Sequence, residues 1–372
     1  MEFLDEETMS GNARDARETE SRGTSDRRQF LAGIAALGAG TALLGGKLLG
    51  QAKAPSSNPR SVDFQHHFTS PGWRKALSDA NMLPDVRKSW SVEKDIAEMD
   101  GAGCAAAFIS TGQAGWRLGE LPGAEDIRLA RESNEYGAKM QTDYPGRYFL
   151  MAALPMPNID ASLKEMAYAL DTLKAAGFTL PGSFDGHYIG EPEFDPILQE
   201  LNRRKTAVYV HPSQPKCCEN MIQGLIPNTI EYGTDTTRML MSLIVSKQAA
   251  KYPDIRWIWA HGGGTMPFLI QRIAGDKVAN NLDKPAPPDS PLFFIRKYYY
   301  DTGAQFNPVG IASLKSVAGM SQIVYGTDFP YGRMAEVNMY LDNMPTVLNA
   351  QERQMLYRGN AVRLFPELKI HA

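Results

Sequence analysis

Four short apolar runs in this chain each lead into a histidine or an aspartate. They are Val62-Asp63-Phe64-Gln65-His66-His67, Ala207-Val208-Tyr209-Val210-His211-Pro212, Trp257-Ile258-Trp259-Ala260-His261-Gly262 and Ile323-Val324-Tyr325-Gly326-Thr327-Asp328. Imidazole nitrogens and carboxylate oxygens are the side-chain groups that hold divalent cations and carry protons near neutral pH. A strand that ends in such a residue delivers one of these groups to the rim of a sheet. Four such rims, far apart in sequence, converge only if the sheet closes on itself. In a barrel of parallel strands, chemistry collects at the carboxyl-terminal ends.

The elements that must position these residues follow from the alternation of short apolar runs with amphipathic stretches, the pattern of repeated βα units. The spacing predicts strands over 61–64, 104–110, 148–154, 178–184, 207–210, 256–260, 298–301 and 323–325. It predicts helices over 91–100, 125–143, 161–175 (stopped by Gly177), 194–204 and from Thr234 or Asp235 to Tyr252. Eight strands with intervening helices is the count of an α/β protein of the TIM-like (β/α)8 barrel type, a single catalytic domain over 61–372. No internal repeat is visible.

Composition agrees with a globular enzyme of one large domain: 372 residues, 43% hydrophobic and 22% charged. The net charge of −3 and the lack of a basic run argue against a nucleic-acid partner. Of the three cysteines, Cys104 falls in an apolar run and Cys217-Cys218 are adjacent. Adjacent cysteines rarely bridge each other, so three free thiols are expected. A soft-metal role for the pair, which follows His211-Pro212, is the alternative.

Residues 1–60 read as a leader and linker outside the fold. Ser25-Asp26-Arg27-Arg28-Gln29-Phe30-Leu31 resembles the twin-arginine export signature, and a Gly/Ala-rich apolar stretch runs from Leu31 to Gly46. That stretch is too short for a membrane span, which takes about 20 apolar residues. The eight acidic residues against three arginines before Arg27 are unlike the basic start of most leaders. Export to the periplasm through the twin-arginine machinery is expected, with a disordered cytoplasmic tail as the alternative.

From Val62 to Phe365 the chain resembles the amidohydrolase-related family typified by aminocarboxymuconate-semialdehyde decarboxylase, nearest to its 6-methylsalicylate and resorcylate decarboxylase branch. The resemblance is carried by Gly190-Glu191-Pro192 before Phe194-Asp195-Pro196, His211-Pro212, Asp235-Thr236-Thr237-Arg238, His261-Gly262-Gly263-Gly264 and Gly326-Thr327-Asp328-Phe329-Pro330, in that order. It implies a divalent metal held by the second histidine of an Asp-x-His-x-His strand end, here His67, together with His211 and Asp328. Gln65 stands where the family has the first histidine. His261 is implied beside the metal as an acid–base or polarising group. Homodimers are common among such relatives, and the apolar residues of Met221–Ile226 suit one.

Two imidazoles and one carboxylate with an open position is how catalytic zinc is usually held. An amide oxygen at Gln65 is a poor zinc ligand but binds Mn²⁺ or Mg²⁺. His66 replaces it only if the strand end is bulged, because neighbouring strand residues face opposite ways. Asp63 reads as structural, His187 has no role and His371 belongs to the tail. Arg238 is a candidate for gripping a substrate carboxylate, or else pairs within its helix. Trp73, Trp90, Trp116 and Phe329 are candidates for a planar pocket, or for core.

Two reactions fit these residues. In non-oxidative decarboxylation of a small aromatic or unsaturated acid, Asp328 with His261 protonates the ring carbon and carbon dioxide leaves. In hydrolysis of an amide or lactone, Asp328 accepts the proton of a metal-activated water and His261 steadies the oxyanion. The resemblance favours a carboxy-lyase. A third reading, prompted by Gln65, is a barrel without catalysis that serves as a binding protein. A serine hydrolase is disfavoured by the absence of a Gly-x-Ser-x-Gly elbow.

Overall fold

The structure is a computed structural model and describes residues 60–112, 123–184, 186–218, 221–368 and 370. The expected leader falls almost wholly outside these residues, as do Trp116 and His371. The described chain winds eight parallel strands in sequential order: β1 (Ser61–His67), β2 (Cys104–Ser110), β3 (Tyr148–Ala153), β4 (Gly177–Pro181), β5 (Ala207–His211), β6 (Arg256–Trp259), β7 (Tyr299–Asp301) and β8 (Ile323–Val324). The ring closes from β8 to β1: Phe64 N donates to Tyr325 O at 2.9 Å and His67 N to Phe329 O at 2.8 Å.

The two-residue period of a strand sorts the apolar side chains into two layers. Val62, Phe64, Ala106, Phe108, Met151, Tyr209, Ile258 and Val324 pack together inside the barrel. Their neighbours in sequence, such as Ala107, Ile109, Leu150, Val208, Val210, Trp257 and Tyr325, face outward into a larger cluster shared with the helices. Phe64 stacks on Phe108 at 4.3 Å, and Phe365 from the last helical segment lies 4.5 Å from Phe108. These rings fill the inside of the barrel below the site, each adding roughly 1.5–3 kcal/mol by leaving water.

β1 runs three residues further than its pattern predicts, because it contains a bulge. Its pairing with β2 shifts between Asp63 and His66. A bulge resets the in–out phase of a strand. Val62 and Phe64 face inward before it, Gln65 and His67 face the barrel mouth after it, and His66 points outward with Asp63. The bulge therefore keeps His66 away from the mouth. Elsewhere β4 ends at Pro181, and Phe184 instead bridges His187 across a turn. The long helix expected to reach Tyr252 breaks at Lys247, whose φ of +66° is left-handed, giving Glu231–Val245 and Gln248–Lys251.

Candidate metal and acid–base site

At the carboxyl-terminal mouth, one ligand atom each from His67, His211 and Asp328 lie within 4.8 Å of one another. β1 supplies His67, β5 supplies His211, and the turn after β8 supplies Asp328. His67 Nε2 is 3.1 Å from Asp328 Oδ1, and His211 Nε2 is 3.8 Å from the same oxygen. The far nitrogens are held from behind. His67 Nδ1 lies 3.1 Å from Ser110 Oγ, and His211 Nδ1 donates to the Pro212 carbonyl at 2.9 Å. That donation leaves the lone pair of His211 on Nε2, which is buried and has no hydrogen-bond partner.

Burial, outweighing the pull of Asp328, drives His67 down to about 3 and depresses His211 too. Both imidazoles are therefore neutral, as a metal ligand must be. Burial alone would raise Asp328, but its contacts with His211, His261 and His67 hold it well below the usual carboxylate range. Two neutral nitrogens, one of them the orphaned Nε2 of His211, and one carboxylate are a donor set that a divalent cation fits.

His261 follows β6 and adopts a left-handed φ of +53°, as Asp328 does at +61°. Strained non-glycine backbone of this kind persists where the surroundings over-determine it, commonly at functional sites. His261 Nε2 lies 3.6 Å from Asp328 Oδ2 and 2.7 Å from the amide nitrogen of Gln65. The shorter contact makes Nε2 an acceptor and leaves the ring proton on Nδ1. Burial opposes a second proton on His261, yet Asp328 outweighs it and raises the ring above its ordinary pKa. A cavity of about 430 Å³ opens over these groups, lined also by Tyr232, Phe268, Gln305 and Tyr331. A larger cleft of about 710 Å³ between the helices Pro71–Asp79 and Val92–Ala102 is lined by neither His67, His211 nor Asp328.

With this geometry in place, the sequence matches the amidohydrolase family over residues 62–366. The chain belongs to that family. A protein described as decarboxylase macB of Penicillium terrestre is 31% identical over 83% of this chain and 96% of its own length. The 6-methylsalicylic acid decarboxylase of Penicillium expansum is 29% identical over 83% of this chain and 97% of its own. Among solved structures, a dihydroxybenzoic acid decarboxylase from Polaromonas sp. JS666, with bound manganese and the inhibitor 2-nitroresorcinol, superimposes with a TM-score of 0.71. It is 20% identical and is covered over 98% of its length, against 84% of this chain.

Within this amidohydrolase barrel the other expected residues take different places. Gln65 reaches the mouth, but it turns its amide nitrogen to Asp328 Oδ1 at 2.9 Å and buries an unpartnered oxygen. Arg238 does not line the cavity; its Nη1 lies 4.0 Å from Glu231 and its Nη2 3.8 Å from Cys218 Sγ. The adjacent Cys217 and Cys218 are joined as a disulfide, in place of the expected free thiols, and only Cys104 is free among the described residues. Trp73 is buried in a small cluster between helices, Trp90 in the packing between helices and barrel, and Phe329 stacks on His66 at 4.6 Å outside the mouth. His187 is exposed and pairs with Glu191.

Asp301 at the end of β7 is a site residue that the sequence reading passed over. It is fully buried, accepts from His261 N and Gly303 N at 2.9 Å each, and takes the Tyr209 hydroxyl at 2.8 Å. Burial, against these donors, pushes it up to about 7. Tyr300-Asp301 repeats the signal of the other four strands, an apolar run ending in a histidine or an acid. Arg87, also buried, donates to Tyr331 Oη at 2.9 Å and so fixes one wall of the cavity. Tyr209→Phe should lower unfolding free energy by about 1–3 kcal/mol, the worth of a hydrogen bond to a charged group. Denaturant unfolding measures it, and a change below a few tenths would show that the hydroxyl does not hold Asp301.

Proposed function

We propose that the protein is a metal-dependent, non-oxidative carboxy-lyase of a small aromatic acid that carries a hydroxyl beside its carboxylate. The observation that carries this reading is the meeting of His67, His211 and Asp328 beside His261 in a chain that is 29–32% identical to decarboxylases along almost their full length. When bound by His67, His211 and Asp328, a divalent ion such as Zn²⁺ or Mn²⁺ supplies a Lewis acid for the substrate's carboxylate and hydroxyl.

The chain's own residues account for the rest. Tyr232, Phe268 and Tyr331 offer faces that suit a planar ring. Asp328, 3.6 Å from His261, raises the proton affinity of that ring, so His261 is the group that carries the proton to be delivered. Delivery of that proton to the ring carbon bearing the carboxylate breaks the aromatic system. The C–C bond to the carboxylate then breaks, its electron pair restores the ring, and carbon dioxide leaves. One proton is consumed and one C–H bond is formed. The low proton affinity of Asp328 keeps it ionised, so that its charge supports the protonated His261 that acts as the acid.

The test is carbon dioxide release from 6-methylsalicylate and dihydroxybenzoates, set against hydrolysis of lactones and amides. Removing the metal with a chelator should abolish carbon dioxide release, and Mn²⁺ or Zn²⁺ should restore it. Full activity after exhaustive chelation, or turnover of the hydrolytic substrates alone, would overturn the reading.

A further inference from the structure

Gln65 faces the cluster, and the proposed reaction leaves its chemistry unused. Its amide nitrogen stands 2.9 Å from Asp328 Oδ1 and 2.7 Å from His261 Nε2. Its oxygen is buried without a partner. A Cβ on Gly303 would collide with that oxygen, so the bare backbone of Gly303 is the space the amide occupies. Gly303 is itself fixed, since its N–H donates to Asp301 Oδ1 at 2.9 Å.

The nitrogen of an amide has no available lone pair, because that pair is delocalised into the carbonyl; it donates and does not coordinate. Turning the amide over would set its oxygen against an anionic carboxylate oxygen, two acceptors facing each other without a proton between them. The charge on Asp328 therefore selects the orientation seen. In this orientation the two N–H groups of Gln65 satisfy Asp328 and His261 together.

We infer that Gln65 is a positioning residue of a three-residue metal centre: it braces Asp328 and His261 through its amide N–H groups and stays outside the ligand set formed by His67, His211 and Asp328. This rests on the metal reading above and adds to it the number and identity of the protein ligands. Gly303 belongs to the same device, because any side chain there displaces the Gln65 oxygen.

The experiment loads the purified full chain and its Gln65→Leu variant with Co²⁺ and records the visible d–d absorption, whose position and intensity follow coordination number and donor type. Mn²⁺ affinity is titrated in parallel. Loss of the brace should weaken Mn²⁺ binding by about tenfold, as is usual for outer-shell partners, and leave the Co²⁺ bands unmoved. Gly303→Ala should do the same by pushing the amide away. If Gln65→Leu does not fold, Gln65→Met takes its place, with similar length and no donor. Bands that shift or intensify in the Gln65 variant, as when a ligand is lost, would overturn the inference while leaving the metal centre standing. Unchanged Mn²⁺ affinity would remove the bracing role. A wild-type protein that takes up no Co²⁺ would instead overturn the metal reading on which this depends.

Discussion

Asp328→Asn should lower carbon dioxide release by at least about a thousandfold while the barrel stays folded. Proton transfer by a positioned side chain is worth roughly 10²–10⁴ in rate, and Asp328 both supports the proton on His261 and supplies the only carboxylate among the three facing ligand atoms. The fold should tolerate the change. Asparagine is isosteric and enters the left-handed region more readily than most residues, so the φ of +61° is not an obstacle. An amide can still meet His67 across 3.1 Å, but it brings no negative charge to a cluster of three buried imidazoles. Metal content, circular dichroism and single-turnover rates on the loaded variant separate lost chemistry from lost metal. Retention of activity within about threefold, with metal bound, would remove Asp328 from the reaction.

Much of this site is legible in the sequence, and the exceptions have physical causes. The barrel is readable because alternate residues of β2, β3, β5 and β6 are apolar on both faces, a pattern that only a sheet buried on both sides explains. His67, His211, His261 and Asp328 stand out because each follows such a run. What cannot be read is local geometry within a strand. The bulge in β1 has no signature in Asp63-Phe64-Gln65-His66, yet it decides that Gln65 faces in and His66 faces out. Arg87 sits on the four-residue helix Asp85–Lys88 among other charged residues, and nothing in its neighbourhood marks it as wholly buried. Arg238 shows the converse. Its place in Asp235-Thr236-Thr237-Arg238 suggests an anion grip, but Asp235 reaches Tyr188 and Ser183, and Arg238, one turn further along the same helix face, lies beside Glu231 and Tyr188 and outside the cavity lining.

The bulge also creates a buried ion cluster outside the mouth, and it is there that a second large effect is expected. His66 is fully buried with Nδ1 3.1 Å from Asp63 and Nε2 2.8 Å from Asp95. Asp63 in turn accepts from Gln65 N at 3.0 Å, Thr327 N at 3.1 Å and Thr327 Oγ1 at 2.6 Å, so it ties the bulge to the turn that carries Asp328. Burial opposes a charge on His66, but the two carboxylates outweigh it and raise the ring to about 10. His66→Leu leaves both carboxylates buried without their cation and should cost about 3–5 kcal/mol of unfolding free energy, the usual effect of removing one partner of a buried pair. The sign of the pH dependence follows from the raised value. The stabilisation is complete below the unfolded pKa of about 6.5, declines as the pH rises above it, and is gone once the pH passes the folded value of about 10. Denaturant unfolding at pH 6 and at pH 9.5 should therefore show a wide gap between wild type and variant at the lower pH and a narrower one at the higher. An equal gap at both would mean that His66 is neutral in the folded protein, and that Asp63 and Asp95 are held by hydrogen bonds alone.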